Sequence, residues 1–446
     1  MNTNKHRISM MLAAGLMVGA ALADVTNYYA SAFGFIDTRD VVSAASDGVS
    51  SLPVGVFDSG IGGMSVLEQL LVVDEFDNAS GRRRPDGKPD FENERFVYFG
   101  DQANMPYGRY DSAGKADFLR ELVMRDASFV LGSDGHDPAK IVVIACNTAT
   151  AYGLDSVLAM DRPHDAKVIG VVNSGVEAAF DAMNGVDSPF AIAVMATPGT
   201  IASGVYERTL KNEAAARGVA GRISVVNRGG IGLAEAVECG DPGMMECART
   251  NIVAMVEKYR DGGGKAPIRA LILGCTHYPF VMDTIRKTVD GLRRMPEYAG
   301  LIAADIKYVD PAVYTAVACY RSLCKDGLLN MCDPGTEKRG RVQTFFSVGK
   351  DGPLPDSVKY GRDCGSGDIG TIIVPVSKAG LSRNTLQGIR KSFPACYAAI
   401  FASQNRSCVS ASHSGDCRHL RQRAIDLSAD IRAGGDEGRQ PRGGIR

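Results

Sequence analysis

The chain has 446 residues, of which 45% are hydrophobic and 23% charged, as in ordinary globular proteins. This length is sufficient for two or more domains with cores of their own. The net charge of -1 gives no reason to expect a nucleic-acid partner or attraction to an anionic membrane surface.

The first 23 residues have the pattern of a secretory signal peptide. A positive stretch at 5–7 (KHR) precedes an apolar stretch, and the sequence ALA at 21–23 fits the small-x-small rule for cleavage. We therefore expect an exported, periplasmic protein. The alternatives are an uncleaved membrane anchor, or a start codon assigned too early in a cytoplasmic protein. Residues 24–51 are rich in small residues and are interpreted as a linker.

From residue 52 onward, predicted strands alternate with predicted helices. The strand VGVF leads through the glycine-rich turn DSGIGG into the helix MSVLEQLL. The polar segment 74–94 is expected to be a surface insertion. The elements that follow are a strand at 95–101, a helix at about 112–131, and strands at 141–145 and 167–172. Such alternation predicts a parallel βαβ arrangement.

The same pattern then repeats. The predicted elements are a strand at 190–200, a helix at 201–218, a strand at 222–227, a helix at about 244–260 and a strand at 269–274. In each half, an opening strand ends in a hydroxyl-rich turn, and a later strand ends in a cysteine. We interpret this as a pseudo-repeat.

The predicted fold class is therefore α/β, with two pseudo-symmetric halves. Their mostly parallel sheets are expected to face each other across a central cleft, and a C-terminal extension follows. The boundaries are 52–185 for the first half, with 300–356 returning to it, 186–299 for the second half, and 357–446 for a partly disordered extension.

Two of the predicted strands run directly into a cysteine. The stretches are IVVIACNTAT, which contains Cys146, and LILGCTHYPF, which contains Cys275. In open α/β sheets, ligands bind beyond the carboxyl ends of the strands. Two thiols on opposite sides of a carbon can remove a proton from one face and deliver one to the other, which inverts a stereocentre. A single cysteine at a strand end is more often a small buried hydrophobe, so the interpretation depends on the two equivalent positions together.

Nine further cysteines accompany these two. Export would allow disulfides among them, and we expect some to form while Cys146 and Cys275 stay free. None has the paired CxxC spacing of a structural zinc site. The nine are Cys239, Cys247, Cys319, Cys324, Cys332, Cys364, Cys396, Cys408 and Cys417.

Five motifs, in this order, resemble those of the glutamate racemases, in the cofactor-independent aspartate/glutamate racemase superfamily. They cover about residues 52–310 and read VGVFDSGIGGMSVL, YFGDQANMPYGRY, IVVIACNTATA, ATPGTIASGVYERTL and LILGCTHYP. Two local departures are the sequence NRGGIG, where the family has alanine-cysteine-proline, and Asp310-Pro311, where it has aspartate-serine.

The resemblance implies a set of site residues. Cys146 and Cys275 would be the acid/base thiols, assisted by Asp58, His277 and Glu238. The residues implied to bind substrate are Asp58, Ser59, Tyr107, Gly108, Asn147, Thr148, Thr200, Thr276 and His277. No cofactor is implied, neither pyridoxal phosphate nor a metal. The expected partners are a small-molecule amino acid and a second copy in a homodimer, without nucleic acid or a stable membrane partner after signal cleavage.

The predicted function is interconversion of L- and D-glutamate by a two-cysteine proton transfer at Cα. Export does not suit an enzyme that feeds cytoplasmic peptidoglycan synthesis, so two alternatives stay open. One is an exported aspartate or broad-specificity amino-acid racemase. The other is a non-catalytic exported amino-acid-binding protein, although a pure binder would not need both thiols.

Overall fold

The computed structural model describes residues 48–132, 135–331, 341–365, 367 and 369–401. The predicted signal peptide, nearly all of the linker and the end of the extension lie outside these residues. So do Cys332, Cys408 and Cys417. In the described ranges, no helix is both long enough and apolar enough to span a membrane.

Ten strands in the described residues form two sheets. They are β1 (Val54–Asp58), β2 (Phe96–Gly100), β3 (Ile141–Ile144), β4 (Lys167–Gly170), β5 (Phe190–Ala196), β6 (Ile223–Gly229), β7 (Ile268–Gly274), β8 (Ile302–Val309), β9 (Val342–Gly349) and β10 (Thr371–Pro375). The first sheet has the order β10-β9-β2-β1-β3-β4, and the second has the order β6-β5-β7-β8. Every pairing is parallel except that of β10 with β9.

Helices connect and cover these strands. They are α1 (Met64–Val72), α2 (Ala116–Leu131), α3 (Asn147–Leu158), α4 (Val171–Ala182), α5 (Pro198–Ala202), α6 (Val205–Ala216), α7 (Leu233–Cys239), α8 (Met244–Asp261), α9 (Met282–Arg293), α10 (Pro311–Lys325), α11 (Asp356–Lys359), α12 (Arg383–Ser392) and α13 (Pro394–Phe401). Strands β1, β3 and β5 are buried at every residue, as expected when helices cover both faces of a parallel sheet. The predicted α/β class with mostly parallel sheets is confirmed.

The strand orders of the two sheets agree with the predicted pseudo-repeat. The order β2-β1-β3-β4 in the first sheet corresponds to β6-β5-β7-β8 in the second. Strand β3 therefore occupies the place that β7 has in the other sheet. Because Cys146 follows β3 and Cys275 follows β7, the two thiols stand at equivalent strand ends.

The structure corrects the predicted boundaries in two places. Residues 300–356 were expected to return to the first half. Strand β8 instead pairs with β7 in the second sheet, whereas α10 packs into the core of the first sheet and β9 pairs with β2 there. The C-terminal extension also contributes β10 to the first sheet. The sequence analysis recognised neither β8 nor β10. Asp305 and Lys307 interrupt the apolar pattern of β8, and β10 is an edge strand whose pairing depends on a partner elsewhere in the sequence.

The helices that follow the strands begin at identifiable caps. Cys146 has extended backbone angles, and its sulfur accepts the N–H of Ala149 at 3.4 Å, so it caps α3. Asp310 caps α10 by accepting the N–H of Ala312 at 3.0 Å, with Pro311 at the first helical position. Proline is favourable there because its missing N–H needs no partner, so the aspartate-proline departure preserves the helix start.

Candidate active site

One cavity is lined by residues that follow strands of both sheets. The cavity has a volume of about 20 Å³, which is enough for about one water molecule. The lining residues are Ser59, Met105, Pro106, Tyr107, Gly108, Cys146, Asn147, Thr148, Thr197, Ala234, Cys275, Thr276 and His277. The structure thus brings both predicted thiols to one cavity.

On one side, Cys146 belongs to a chain of hydrogen bonds that ends at a carboxyl group. Its sulfur lies 3.7 Å from Oγ of Ser59, and that hydroxyl donates to Oδ1 of Asp58 at 3.0 Å. Burial raises the pKa of the Cys146 thiol well above its ordinary value, and the charge of Asp58 raises it further. Cys146 is therefore a protonated thiol near neutral pH, with a route for its proton through Ser59.

On the other side, Cys275 has an imidazole as its partner. Its sulfur lies 3.7 Å from Nδ1 of His277, and Nε2 of His277 lies 2.7 Å from Oε2 of Glu238. Burial would lower the pKa of His277, but its contacts with Cys275 and Glu238 raise it well above the ordinary range. Both His277 and Glu238 are buried. The raised pKa of His277 favours the protonated imidazole, which places a proton next to the sulfur of Cys275.

Asp58 joins the two sides. Its Oδ2 accepts the hydroxyl of Thr276 at 2.8 Å, next to Cys275, while its Oδ1 accepts from Ser59, next to Cys146. Burial raises the pKa of Asp58, whereas the His277 charge and these two hydrogen bonds lower it. Asp58 does not line the cavity; it contacts the residues that do.

The glycine-rich turn after β1 is needed for close packing against these groups. A Cβ at Gly60 would lie 2.5 Å from Oε2 of Glu238, and one at Gly62 would lie 2.5 Å from Nδ1 of His277. The N–H of Ile61 also donates to Oε2 of Glu238 at 3.0 Å. Only a turn without side chains at these positions allows the histidine–glutamate pair to approach the first half so closely.

Three threonines at one wall of the cavity form a closed set of hydroxyl contacts. Oγ1 atoms of Thr148, Thr197 and Thr200 are each 2.9 Å from the other two. Thr148 and Thr197 line the cavity, but the predicted substrate-binding residue Thr200 does not. Thr197 caps α5, so the helix turns Thr200 inward, where it is fully buried. The sequence analysis did not identify Thr197 as a site residue, although it is the first hydroxyl residue after β5.

Asn147 and Tyr107 are each fixed by a neighbour that the sequence analysis did not single out. Oδ1 of Asn147 accepts a hydrogen bond from the phenol hydroxyl of Tyr206 at 2.6 Å. The phenol oxygen of Tyr107 lies 2.6 Å from Asp101 and 2.7 Å from Asp126. A phenol has one proton to donate, so one of these carboxyls must itself be protonated. Burial raises the pKa of both Asp101 and Asp126, and the charge of Asp101 raises that of Asp126 further, which favours a protonated carboxyl beside Tyr107.

The described cysteines are all free. These are Cys146, Cys239, Cys247, Cys275, Cys319, Cys324, Cys364 and Cys396. The prediction of disulfides therefore finds no support among the six of the nine extra cysteines that the structure describes. Nor do the described residues contain a group of three or more His, Cys, Asp or Glu side chains able to hold a metal ion.

The chain is similar in sequence to proteins of known families. Residues 108–317 match the family described as Asp/Glu/Hydantoin racemase. The chain is 30% identical over 300 residues to a glutamate racemase of Clostridium novyi, covering 67% of this chain and 93% of that one. It is 29% identical over 277 residues to a glutamate racemase of Pseudomonas syringae pv. tomato, covering 62% and 80%. The solved structure of a glutamate racemase from Francisella tularensis superposes on this chain with a TM-score of 0.48 and 23% sequence identity. The match covers 70% of this chain and 95% of the other.

Proposed function

The chain belongs to the Asp/Glu/hydantoin racemase family, and we propose that it interconverts L- and D-glutamate by proton transfer between Cα and two thiols. The observation that carries the proposal is the placement of Cys146 and Cys275 at equivalent strand ends on one cavity. Relatives that are named glutamate racemases, one of them covered over 93% of its length, support glutamate as the first substrate to test.

In the proposed reaction each thiol serves one face of Cα. One sulfur, as thiolate, takes the Cα proton, and the other, as thiol, delivers its proton to the opposite face. No proton is gained or lost overall, and the two thiols exchange protonation states. Resetting them requires proton routes, and each side has one: Ser59 and Asp58 behind Cys146, His277 and Glu238 behind Cys275. A base of this kind typically contributes about 10²–10⁴-fold to a rate.

Neutral donors would bind the substrate carboxylates. None of the described residues that line the cavity is a lysine or an arginine. Helix α3 starts at Asn147, and the free N–H groups and dipole of a helix N-terminus favour an anion. The hydroxyl of Thr148 adds a further donor at the cavity wall. The hydroxyls of Ser59 and Thr276 donate to Asp58, so their oxygens would act as acceptors for the substrate ammonium group.

Substrate entry would require the cavity to widen. Its volume of about 20 Å³ is far below the roughly 300 Å³ or more of sites that enclose small molecules. We propose that the two halves, each built on its own sheet, separate to admit the amino acid and close again around it. Closure would exclude water from the thiols and from the carbanion-like intermediate.

Circular dichroism of the purified protein with single enantiomers tests the proposal. We expect the signal of L-glutamate to decay to zero, and that of D-glutamate to do the same at a comparable rate. Faster decay with L-aspartate, or with several amino acids, would instead support the aspartate or broad-specificity racemase. Binding of amino acids without decay of any signal would support the non-catalytic alternative and refute a racemase.

The cellular location is a separate part of the proposal. Export depends on the N-terminal sequence, which lies outside the described residues. Mass spectrometry of the periplasmic fraction should find a chain that starts at Asp24, immediately after the ALA motif. Recovery of the full-length chain from the cytoplasm alone would contradict export without affecting the racemase proposal.

A further inference from the structure

The helical pair α12–α13, beyond the last sheet strand, contacts both halves of the protein. In the first half, the carboxylate of Glu68 on α1 accepts the N–H groups of Ala395 and Cys396 at 3.2 and 2.6 Å. Ile389 and Phe393 also belong to the hydrophobic core that covers the first sheet. The pair is thus anchored on the half that carries Cys146.

The opposite side of the pair meets the second half behind Cys275. The ring of Phe393 packs edge-on against Phe280 with centroids 4.7 Å apart, and Phe280 lies in the turn directly after His277. Gly240, which ends α7, is so close that a Cβ there would lie 2.9 Å from Cβ of Asn384. Helix α12 therefore packs on the end of α7, the helix that carries Glu238.

One hydrogen bond links α12 directly to Glu238. The hydroxyl of Thr385 donates to the backbone oxygen of Glu238 at 3.2 Å, and Thr385 is buried. Oγ of Ser382 lies 2.8 Å from Oγ1 of Thr385, which fixes the orientation of the hydroxyl. Carbonyls in the last turn of a helix have no partner within the helix. Thr385 supplies that partner at the residue whose side chain is bonded to His277.

We propose that Thr385 is a positioning residue for proton transfer at Cys275, acting through Glu238 and His277. The inference rests on the proposed two-thiol racemase. By fixing the last turn of α7, Thr385 keeps the Glu238 carboxylate at hydrogen-bond distance from Nε2 of His277. It touches neither the cavity nor Cys275, so any effect on catalysis must pass through that pair.

The first test is kinetic and compares Thr385→Val with Thr385→Ser. Valine keeps the shape and removes the hydroxyl, while serine restores it. Loss of one hydrogen bond of about 1 kcal/mol should lower kcat roughly five-fold for Thr385→Val, with recovery in Thr385→Ser. Gln387→Ala, at an exposed position of the same helix, serves as the matched control and should leave kcat unchanged.

Deuterium isotope effects separate positioning from a general loss of stability. With Cα-deuterated substrates, Thr385→Val should raise the isotope effect for the enantiomer that Cys275 deprotonates and lower it for the other enantiomer. The reason is that only the Cys275 step becomes slower. Loss of folded protein would lower the rate and leave both isotope effects unchanged. Unchanged isotope effects in a folded Thr385→Val protein would overturn the inference while the racemase proposal stands.

A second readout does not require turnover. Nitrogen NMR of the histidines, with His277 assigned by its absence in His277→Asn, reports the state of the imidazole directly. We expect the His277 resonances to shift in Thr385→Val and to stay in place in Gln387→Ala and Thr385→Ser. Identical His277 resonances in Thr385→Val and the unmodified protein would refute the inference, whatever the substrate proves to be.

Discussion

Nε2 of His277 lies 2.7 Å from Oε2 of Glu238, although the two residues are 39 positions apart in the sequence. Nδ1 of the same ring lies 3.7 Å from the sulfur of Cys275. Cys146, at the equivalent strand end, instead contacts the hydroxyl of Ser59. The two thiols thus occupy matching places in the fold but have different proton partners, an imidazole on one side and a hydroxyl–carboxyl chain on the other.

Glu238→Gln should slow racemisation without unfolding the protein. The amide keeps a hydrogen-bonding group near His277 but removes the charge that raises the pKa of the imidazole, so we expect kcat to fall by about 10²-fold. Glu235→Gln is the matched control, because Glu235 lies one turn earlier on α7 and pairs with Arg109 at 2.9 Å. A similar kcat in both variants would show that Glu238 does not assist the transfer.

Gly62→Ala should reduce both activity and stability. The added methyl group would lie 2.5 Å from Oγ1 of Thr276 and from Nδ1 of His277, so both side chains would have to move. Overpacking of this kind costs about 1–3 kcal/mol in the free energy of unfolding. Denaturant unfolding together with the racemisation assay measures both effects.

Gly291→Ala is the control for that substitution. Gly291 lies inside α9, and a Cβ there meets no atom within 4 Å. Alanine is favoured over glycine in a helix by about 1 kcal/mol, so this variant should be slightly more stable and fully active. Equal behaviour of Gly62→Ala and Gly291→Ala would contradict the close packing of the turn against His277.

Stability should depend on pH through Glu68. Burial raises the pKa of Glu68 to about 7, although two backbone N–H groups favour the charged form. The folded state therefore holds this proton more tightly than the unfolded chain, in which the pKa is about 4.3. The contribution of Glu68 to stability is full below about pH 4 and decreases as the pH rises toward about 7.

Glu68→Gln isolates this effect from other buried carboxyls. Since glutamine does not titrate, the difference in unfolding free energy between the unmodified protein and the variant should change by roughly 3 kcal/mol between about pH 4 and pH 8. The unmodified protein should lose stability relative to the variant as the pH rises. A difference that is constant with pH would show that Glu68 titrates alike in the folded and unfolded chain.

Much of this architecture was predictable where the signal is local. Strands β1, β3, β5 and β7 are short apolar runs, each followed within two residues by a cysteine or a hydroxyl residue, so their ends and the two thiols could be predicted directly from the sequence. The position of Thr200 could not be predicted in this way, because the orientation of α5 decides whether a threonine faces the cavity. Strand β10 and the packing of α12 on α7 depend on contacts between distant parts of the chain. No short pattern encodes such contacts.

The two-thiol claim is tested most directly by hydrogen exchange at Cα in deuterated water with Cys146→Ala and Cys275→Ala. Neither variant should racemise glutamate. Each should exchange the Cα hydrogen of one enantiomer only, and the two variants should act on opposite enantiomers, because each retains the thiol for one face. Racemisation by either variant at the unmodified rate, or exchange of the same enantiomer by both, would contradict the proposal that the thiols serve opposite faces.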